Sequence, residues 1–294
     1  MVGWLVLLDV KPKASIKRRV ARTGLLLLAL YLGGCYALAC LYLSPIRTVP
    51  TCPKGFTSTF VGTTPIWETA DLSRQKPSST MFVFGHGYGG DRSQWTEVMK
   101  ALKAKGFDSI DPALAGQDAS RVATVGFGGI ESYTLAKMVE YAKGKGAKNV
   151  ILSGVSMGGA ASWLATERTT QVDAVVSESA FADFPETMNH WLDMVLPGGH
   201  ISLLPTVWFA RMKSGINPAD IVPLKAAAQW KGKPALVIQA GDDKLIDGTN
   251  ADRLAAASGA PIWIVPKASH ANCATVDLDG YVAHLIGVAH MVSR

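Results

Sequence analysis

The sequence predicts an α/β fold, with a mostly parallel sheet of eight strands and helices on both of its faces. Short apolar runs alternate with helical patterns along most of the chain, which is typical of such sheets. The chain has 294 residues, of which 48% are hydrophobic, so it is long enough for one large core. An uncharged apolar segment precedes the alternating pattern and predicts a membrane helix.

The basic charge of the chain is concentrated at its N-terminus. The net charge is +6, and residues 1–23 contribute most of it through six Lys or Arg side chains against one Asp. The rest of the chain is nearly neutral, so no basic surface for nucleic acid is expected.

Residues 24–43 form the apolar segment, GLLLLALYLGGCYALACLYL. In a helix this length spans about 30 Å, the thickness of a bilayer core. Basic residues precede the segment and only Arg47 follows it closely, which predicts a signal anchor with the tail 1–23 in the cytoplasm. A lipoprotein attached through Cys35 and a cleaved signal peptide are the alternatives.

A linker is predicted at residues 44–55, which contain three prolines. Cys35 and Cys40 lie in the apolar segment, and Cys52 and Cys273 follow it. Cys52 and Cys273 can form a disulfide or remain separate thiols, and the sequence favours neither.

Eight short apolar runs predict strands. They are Thr59–Gly62, Ile66–Ala70, Met81–Gly85, Ser109–Asp111, Val150–Ser153, Ala174–Ser177, Ala235–Ala240 and Ile262–Val265. Six further patterns predict the helices of the sheet domain. They are Ser93–Ala104, Gly129–Lys143, Gly158–Thr169, Lys225–Trp230, Gly248–Ala257 and Asp279–His290.

Residues 181–223 interrupt this alternation between a strand and the next helix. The stretch is rich in Trp, Phe, Met and Pro. It predicts a small cap insertion, whose apolar side chains, such as Trp191 and Trp208, either line a pocket or pack the insertion onto the sheet domain.

The segment Asn149–Ala165, NVILSGVSMGGAASWLA, contains a Gly-x-Ser-x-Gly motif. The motif alone is weak evidence, but a predicted strand precedes it and a small-residue helix pattern follows it. A turn this tight has no room for larger side chains, and Gly154, Gly158 and Gly159 relieve the crowding. The pattern predicts that Ser156 projects from the turn as a nucleophile.

A serine nucleophile needs a base to accept its proton and an acid to orient that base. In this arrangement the chain order is Ser, acid, His. His270 follows the last predicted strand in a loop and is the predicted base, whereas His284 lies in the terminal helix pattern. The acid is expected after the preceding strand, where Asp242 and Asp243 are both candidates by spacing.

A Gly-rich stretch, FVFGHGYGGD at residues 82–91, follows the third predicted strand. Backbone N–H groups in such a loop can bind the negative charge of a tetrahedral intermediate. We expect the N–H of Tyr88 and that of Met157, next to the nucleophile, to form this oxyanion hole. His86 is predicted to shape the loop rather than to act as a base.

Together these stretches resemble the α/β-hydrolase fold superfamily over residues 65–290. The matching motifs are HGYGG at 86–90, GVSMGG at 154–159, VDAVVSESAFADFPET at 172–187, KPALVIQAGDDKLI at 233–246 and IWIVPKASH at 262–270. The SESAFADFPET stretch is further similar to small bacterial serine esterases and prolyl-oligopeptidase-like hydrolases.

The resemblance implies a Ser-His-acid triad that acts without a cofactor, with Ser156 as nucleophile and His270 as base. Acids of the family lie in the pattern Asp-x-x-Val/Ile, which Asp243 fits and Asp242 does not. The chain departs from the family at Gln239-Ala240, where relatives have His-Gly.

A second departure lies in the loop after Asp111, where PALAGQDAS replaces a common Asp-x-Arg-Gly-His-Gly-x-Ser pattern. This loop shapes the rim of the site, so the substrate is expected to differ from that of relatives that keep the pattern. The triad residues are not affected by it.

The predicted function is hydrolysis of a carboxylic ester or thioester in a small-molecule ester or acyl substrate. No metal is expected, because neither His-Glu-x-x-His nor paired Cys motifs occur. A peptidase or amidase of the same fold and an inactive binding protein are the alternatives. For a bacterial protein, the anchor predicts that the catalytic domain, residues 56–294, lies on the periplasmic side of the inner membrane.

Overall fold

The computed structural model describes residues 16–69 and 78–293. The first part of the predicted tail, and Ala70 at the end of one predicted strand, lie outside these residues. Eight strands form one sheet, as predicted. They are β1 (Thr57–Val61), β2 (Thr64–Glu68), β3 (Thr80–Gly85), β4 (Asp108–Pro112), β5 (Asn149–Val155), β6 (Ala174–Glu178), β7 (Ala235–Ala240) and β8 (Ile262–Val265).

The described residues contain eleven α-helices, and the four at Phe184–Val195, Gly199–Ser202, Leu204–Ser214 and Cys273–Val276 were not predicted. The eleven helices are α1 (Ile16–Leu43), α2 (Thr96–Ala104), α3 (Gly129–Gly144), α4 (Met157–Ala165), α5 (Phe184–Val195), α6 (Gly199–Ser202), α7 (Leu204–Ser214), α8 (Pro223–Gln229), α9 (Gly248–Ser258), α10 (Cys273–Val276) and α11 (Leu278–Val292). Short 3₁₀ helices occupy Arg92–Trp95 and Pro218–Asp220.

The sheet is mostly parallel, and its strand order is β1-β2-β4-β3-β5-β6-β7-β8. The pairs β1–β2 and β2–β4 are antiparallel, and every other pair is parallel. The central strands β3, β5, β6 and β7 are buried almost throughout. Burial on both faces explains why they read in the sequence as unbroken apolar runs.

Helices cover both faces of the sheet. The core on one face contains side chains of α3, α4, α8 and α9. The core on the other face contains side chains of α2 and α11. A third apolar cluster lies beside the sheet and joins Leu43, at the end of α1, to Phe181, Phe184 and Ile221 of the region 181–223. The predicted α/β-hydrolase architecture is therefore confirmed.

The region 181–223 contains α5, α6 and α7, and we refer to these residues as the cap. Asp183 caps the N-terminus of α5 by accepting a hydrogen bond from the N–H of Glu186 (3.0 Å). Pro185 and Pro205 lie in the first turns of α5 and α7, where a missing N–H costs nothing. The cap thus contains helices and connecting loops but no strand, and it lies outside the sheet.

α1 begins earlier than the predicted apolar segment and includes its basic flank. It is 28 residues long, and its most apolar window has a mean hydropathy of 2.1. By length and composition it could cross a membrane, a property that a signal sequence near the N-terminus shares. Every described residue from Ile16 to Tyr31 is exposed, whereas Cys35, Ala39 and Leu43 are buried.

The segment after α1 has no helix or strand before β1, but it is attached to the sheet domain. The Arg47 guanidinium donates hydrogen bonds to the backbone carbonyls of Ser120, Val122 and Ala123 (2.8–2.9 Å). The N–H of Val125 donates to the carbonyl of Leu43 (2.9 Å). The end of α1 is therefore held against the loop that leads to α3.

Candidate active site

Ser156 lies on the sharp turn between β5 and α4. Its backbone is strained, with φ 54° and ψ −118°, in a region that residues other than glycine rarely occupy. The N–H of Ser156 donates to the carbonyl of Glu178 at the end of β6 (2.7 Å). The strand end and this hydrogen bond hold the turn at the carboxyl edge of the sheet.

Glycines around Ser156 are required by close backbone contacts. A Cβ atom on Gly154 would lie 2.2 Å from the carbonyl oxygen of Gly158. A Cβ atom on Gly158 would lie 2.1 Å from the carbonyl oxygen of Gly85, at the end of β3. Both distances are far below a van der Waals contact, so the tight packing of α4 on β5 and β3 depends on these two residues.

His270 lies in the loop after β8, which is separated from β5 by β6 and β7, and its side chain reaches the Ser156 turn. Its Nε2 is 2.9 Å from the Oγ of Ser156, and its Nδ1 is 2.8 Å from Oδ2 of Asp243. The side chain of His270 is 20% exposed and that of Asp243 is 1% exposed. One hydrogen-bonded line therefore joins a buried carboxylate, an imidazole and the hydroxyl of Ser156.

Of the two candidate acids, Asp243 faces His270. Its Oδ1 accepts hydrogen bonds from the N–H groups of Leu245 and Ile246 (both 2.9 Å). Burial alone would raise the pKa of Asp243, but hydrogen bonds from His270 and from these backbone groups outweigh it and hold the pKa below its usual value. Asp242 is exposed.

The Gly-rich loop after β3 passes beside Ser156, since a Cβ atom on Gly87 would lie 3.6 Å from Cβ of Ser156. The N–H groups of Gly87 and Gly89 donate to the side-chain oxygens of Gln94 and Gln117. Within residues 16–69 and 78–293, the N–H of Tyr88 meets no acceptor.

Met157 is the first residue of α4, so its N–H has no partner inside the helix. The N–H groups of Tyr88 and Met157 thus remain available beside Ser156. The positive end of the α4 dipole favours a negative charge at the same point.

His86, which the sequence analysis assigned to loop shape, is fully buried between backbone groups. Its Nδ1 donates to the carbonyl of Gly87 (3.0 Å), and its Nε2 accepts from the N–H of Leu114 (3.2 Å). Burial lowers the pKa of His86 and favours the neutral ring that this pairing needs. His284 stacks on Trp263 with 4.0 Å between the ring centroids, away from Ser156.

Two further buried side chains, which were not predicted as site residues, form hydrogen bonds to the loops of the candidate site. Gln239, noted only as a departure from the family pattern, donates from Nε2 to the carbonyl of Ile246 (3.2 Å) and so ties down the loop that carries Asp243. Glu178 accepts from the N–H of Cys273 (3.0 Å), just after the loop of His270. Burial raises the pKa of Glu178 despite the hydrogen bonds from Cys273 and Tyr281.

A cleft of ≈ 370 Å³ opens above Ser156 and His270. Its other walls include Tyr88, Trp191 of the cap and Tyr42 of α1. The Tyr88 hydroxyl donates to the backbone carbonyl of Tyr42 (2.9 Å), and burial raises the pKa of Tyr88 to about 12, so the donor keeps its proton. No sequence signal marked Tyr42, because it stands at the end of a uniformly apolar segment.

Cys52 and Cys273 are both free thiols in the structure. Across residues 16–69 and 78–293, no group of three or more His, Cys, Asp or Glu side chains is arranged to bind a metal ion.

A family model for the alpha/beta hydrolase fold matches residues 80–201, which contain the glycine-rich loop and the Ser156 turn. The chain has the α/β-hydrolase fold. The matched residues of this hydrolase fold include β3 to β6 and the start of the cap. No curated protein sequence matches the chain.

Solved structures with the same hydrolase fold include an esterase of Pyrococcus furiosus, at 16% identity and a TM-score of 0.67, covering 85% of this chain and 99% of that one. A serine hydrolase involved in carbazole degradation has 17% identity and a TM-score of 0.58, covering 80% and 99%. A membrane phospholipase A, described as a bacterial virulence factor, has 16% identity and a TM-score of 0.56, covering 95% and 100%. At these identities the likeness concerns the fold.

Proposed function

We propose that the protein is a serine hydrolase that cleaves a carboxylic ester through Ser156, His270 and Asp243. The observation that carries the proposal is the unbroken hydrogen-bond line from Asp243 through His270 to Ser156. The strained turn, which presents the hydroxyl to the cleft, supports it. The match to the hydrolase family model and the presence of an esterase, a serine hydrolase and a phospholipase among structures of the same fold are consistent with it.

In the proposed mechanism the Oγ of Ser156 attacks the ester carbonyl carbon while Nε2 of His270 takes its proton. Asp243 accepts the hydrogen bond from Nδ1, keeps the imidazole in the required tautomer and stabilises the imidazolium. The N–H groups of Tyr88 and Met157 bind the oxyanion of the tetrahedral intermediate. The alcohol leaves with the proton from His270, and an acyl-enzyme forms.

Water completes the cycle by the same route. His270 accepts a proton from the water molecule as its oxygen attacks the acyl carbon, and then returns that proton to Oγ of Ser156. The products are a carboxylic acid and the regenerated enzyme. No step needs a cofactor.

We also propose that α1 anchors the protein in a membrane, with the hydrolase domain on the extracytoplasmic side. The length and hydropathy of α1 support this location, as do the basic residues Lys17, Arg18, Arg19 and Arg22 at its start. The alternative is that a lipid on Cys35, within α1, attaches the protein to the membrane.

Labelling with a fluorophosphonate probe tests the triad directly. We expect the wild-type protein to be labelled and Ser156→Ala and His270→Ala to remain unlabelled. Ester turnover should fall by at least about a thousandfold in Ser156→Ala. The matched controls Ser162→Ala and His290→Ala, which replace a serine and a histidine outside the cleft, should be labelled like the wild type. A folded wild-type protein that is neither labelled nor active on esters would support a binding protein instead.

A further inference from the structure

The cap packs along the C-terminal half of α1. The hydroxyl of Tyr31 donates to the carbonyl of Ser202, just before α7. Five residues further along α1, the ring of Tyr36 meets that of Phe209 edge to face, with 5.4 Å between the centroids. α7 is 11 residues and therefore about 16 Å long, and it packs beside this half of α1.

This pairing limits where a bilayer can lie. The uncharged segment 24–43 spans about 30 Å only if its full length is in the membrane. Its first part, residues 24–30, covers only about 10 Å before the contacts with the cap begin. A bilayer crossed by α1 must therefore also contact the outer side of α7, because both helices share the remaining depth.

The outer face of α7 has the composition that such a location requires. Leu204, Trp208 and Met212 are 56%, 57% and 64% exposed, and their spacing of four residues places them on one side of the helix. Ile201, just before α7, is also exposed. A contiguous exposed apolar stripe beside an apolar helix is typical of a surface that contacts lipid.

An apolar cavity lies between α1 and the side of α7 that faces it, where Val207 and Ala210 contribute to its wall, and this cavity adjoins the catalytic cleft. Ala39, Tyr42 and Leu43 of α1 line one side of the cavity, and Phe184 and Trp191 of α5 line another. Tyr42 and Trp191 also border the cleft that contains Ser156 and His270. The membrane helix thus supplies part of the wall of a chamber that adjoins the nucleophile.

We propose that the substrate is a membrane lipid ester, whose acyl chain enters from the bilayer beside α7 and lies in the cavity between α1 and the cap. This inference rests on the proposed serine hydrolase function and specifies its substrate. The ester carbonyl lies at Ser156, which takes the acyl group as the lipid alcohol leaves with the proton from His270. Water then releases a fatty acid, so one lipid and one water give one fatty acid and one lipid with a free hydroxyl.

The test uses the full-length protein in proteoliposomes of palmitoyl-oleoyl phosphatidylcholine with a trace of the same lipid labelled in its acyl chains. Release of labelled fatty acid is measured beside hydrolysis of soluble p-nitrophenyl acetate. We expect the wild-type protein to hydrolyse both. Each variant is judged by the ratio of lipid to acetate turnover, which separates substrate choice from the chemistry of the triad.

Two variants address the two parts of the proposal. Ala39→Phe places a ring in the cavity wall, and we expect the ratio to fall at least tenfold. Its control is Ala37→Phe, an exposed position of the same helix, which should leave the ratio unchanged. Trp208→Glu places a carboxylate on the apolar stripe without disturbing the core, and we expect a similar fall. Its control is Lys213→Glu, an exposed position on another side of α7.

The outcomes separate this inference from the proposed function. If the wild-type protein hydrolyses neither the lipid nor the acetate, the proposed serine hydrolase function is wrong. Acetate hydrolysis without lipid hydrolysis would overturn the lipid substrate alone. If the protein hydrolyses the lipid but neither Ala39→Phe nor Trp208→Glu changes the ratio of lipid to acetate turnover, the proposed route from the bilayer is wrong. Equal turnover of a long-chain ester in detergent micelles and in the bilayer would also count against that route.

Discussion

The turn around Ser156 and the cap side of the cleft differ in how they are built. The turn rests on the ends of neighbouring parallel strands, and its groups are fixed by backbone contacts and short hydrogen bonds. The cap side consists of helices from an insertion and from the N-terminus, and apolar side chains form most of its walls. The first region holds the candidate reacting groups, and the second borders the space in which a substrate would lie.

This contrast indicates which changes affect chemistry and which affect choice of substrate. A displacement of a fraction of an ångström at Ser156 breaks a hydrogen bond and is expected to reduce the rate for every ester. A change in the apolar wall alters the space for one part of the substrate and leaves the hydrogen-bond line intact. Substitutions at Asp243, Gly158 and Glu131 test this division.

The largest effect is expected at the carboxylate. In Asp243→Asn the two backbone N–H groups retain the amide oxygen, so an NH₂ donor replaces the Oδ2 acceptor opposite Nδ1 of His270. The imidazole is then held in the wrong tautomer, and kcat should fall by about 10³- to 10⁴-fold. Asp242→Asn is the matched control, and its kcat should remain within about twofold of the wild type, because Asp242 is exposed. Steady-state kinetics on p-nitrophenyl acetate provide the comparison. Equal losses in the two variants would contradict the division of roles between these neighbours.

A smaller effect, on stability, is expected at the packed glycines. Gly158→Ala forces a methyl group to within 2.1 Å of the Gly85 carbonyl oxygen, so we expect a loss of about 3 kcal/mol in the free energy of unfolding. Gly287→Ala in α11, where a new Cβ atom has no neighbour within 4 Å, should instead stabilise the protein by up to about 1 kcal/mol. Urea denaturation of both variants measures the difference. A Gly158→Ala protein as stable as the wild type would show that the turn is less tightly packed than described.

The smallest effect is expected in the loop that borders the apolar cavity. Glu131 accepts hydrogen bonds from the N–H groups of Gly126 and Gly128 (2.8 and 2.7 Å). Burial nevertheless raises its pKa from 4.5 to about 6. The folded protein therefore retains this proton to higher pH than the unfolded chain, and the contribution to stability is greatest below pH 4.5 and is lost as the pH rises through about 6.

Comparison with Glu131→Gln, which does not titrate, isolates this contribution. Between pH 4 and pH 7 the free energy of unfolding of the wild-type protein should fall by about 2 kcal/mol relative to that of the variant. Urea denaturation at both pH values measures it. Parallel pH profiles for the two proteins would mean that Glu131 titrates normally.

The sequence predicted the sheet well because buried strands read as apolar runs. β7 and β8 have the predicted bounds, and β5 is longer than predicted by one residue at its start and two residues at its end. The candidate site could be predicted from the sequence for a related reason. Parallel strands end at the same edge of the sheet, so the residues that follow them lie close together there. Spacing alone did not decide whether Asp242 or Asp243 is the acid, because both follow the same strand. The two residues differ in the direction of their side chains, which spacing does not predict.

The cap side was less predictable. Trp191 and Trp208 are both apolar residues of one insertion, yet Trp191 lines the cleft and Trp208 is exposed beside α1. The segment after α1 was predicted as a linker from its prolines, whereas Arg47 ties it to three carbonyls of the sheet domain. The division of the chain into tail, anchor, linker, hydrolase domain and cap remains a prediction.

The amino-acid sequence was enough to predict the α/β-hydrolase architecture and to place Ser156 and His270 in the loops that follow strands, because hydrophobic periodicity and glycine sterics act over a few residues. That Asp243 faces His270 and that Tyr42 of α1 borders the cleft emerged from the folded structure. Both depend on contacts between segments far apart in the chain, and no local pattern encodes the direction in which a side chain meets such a partner.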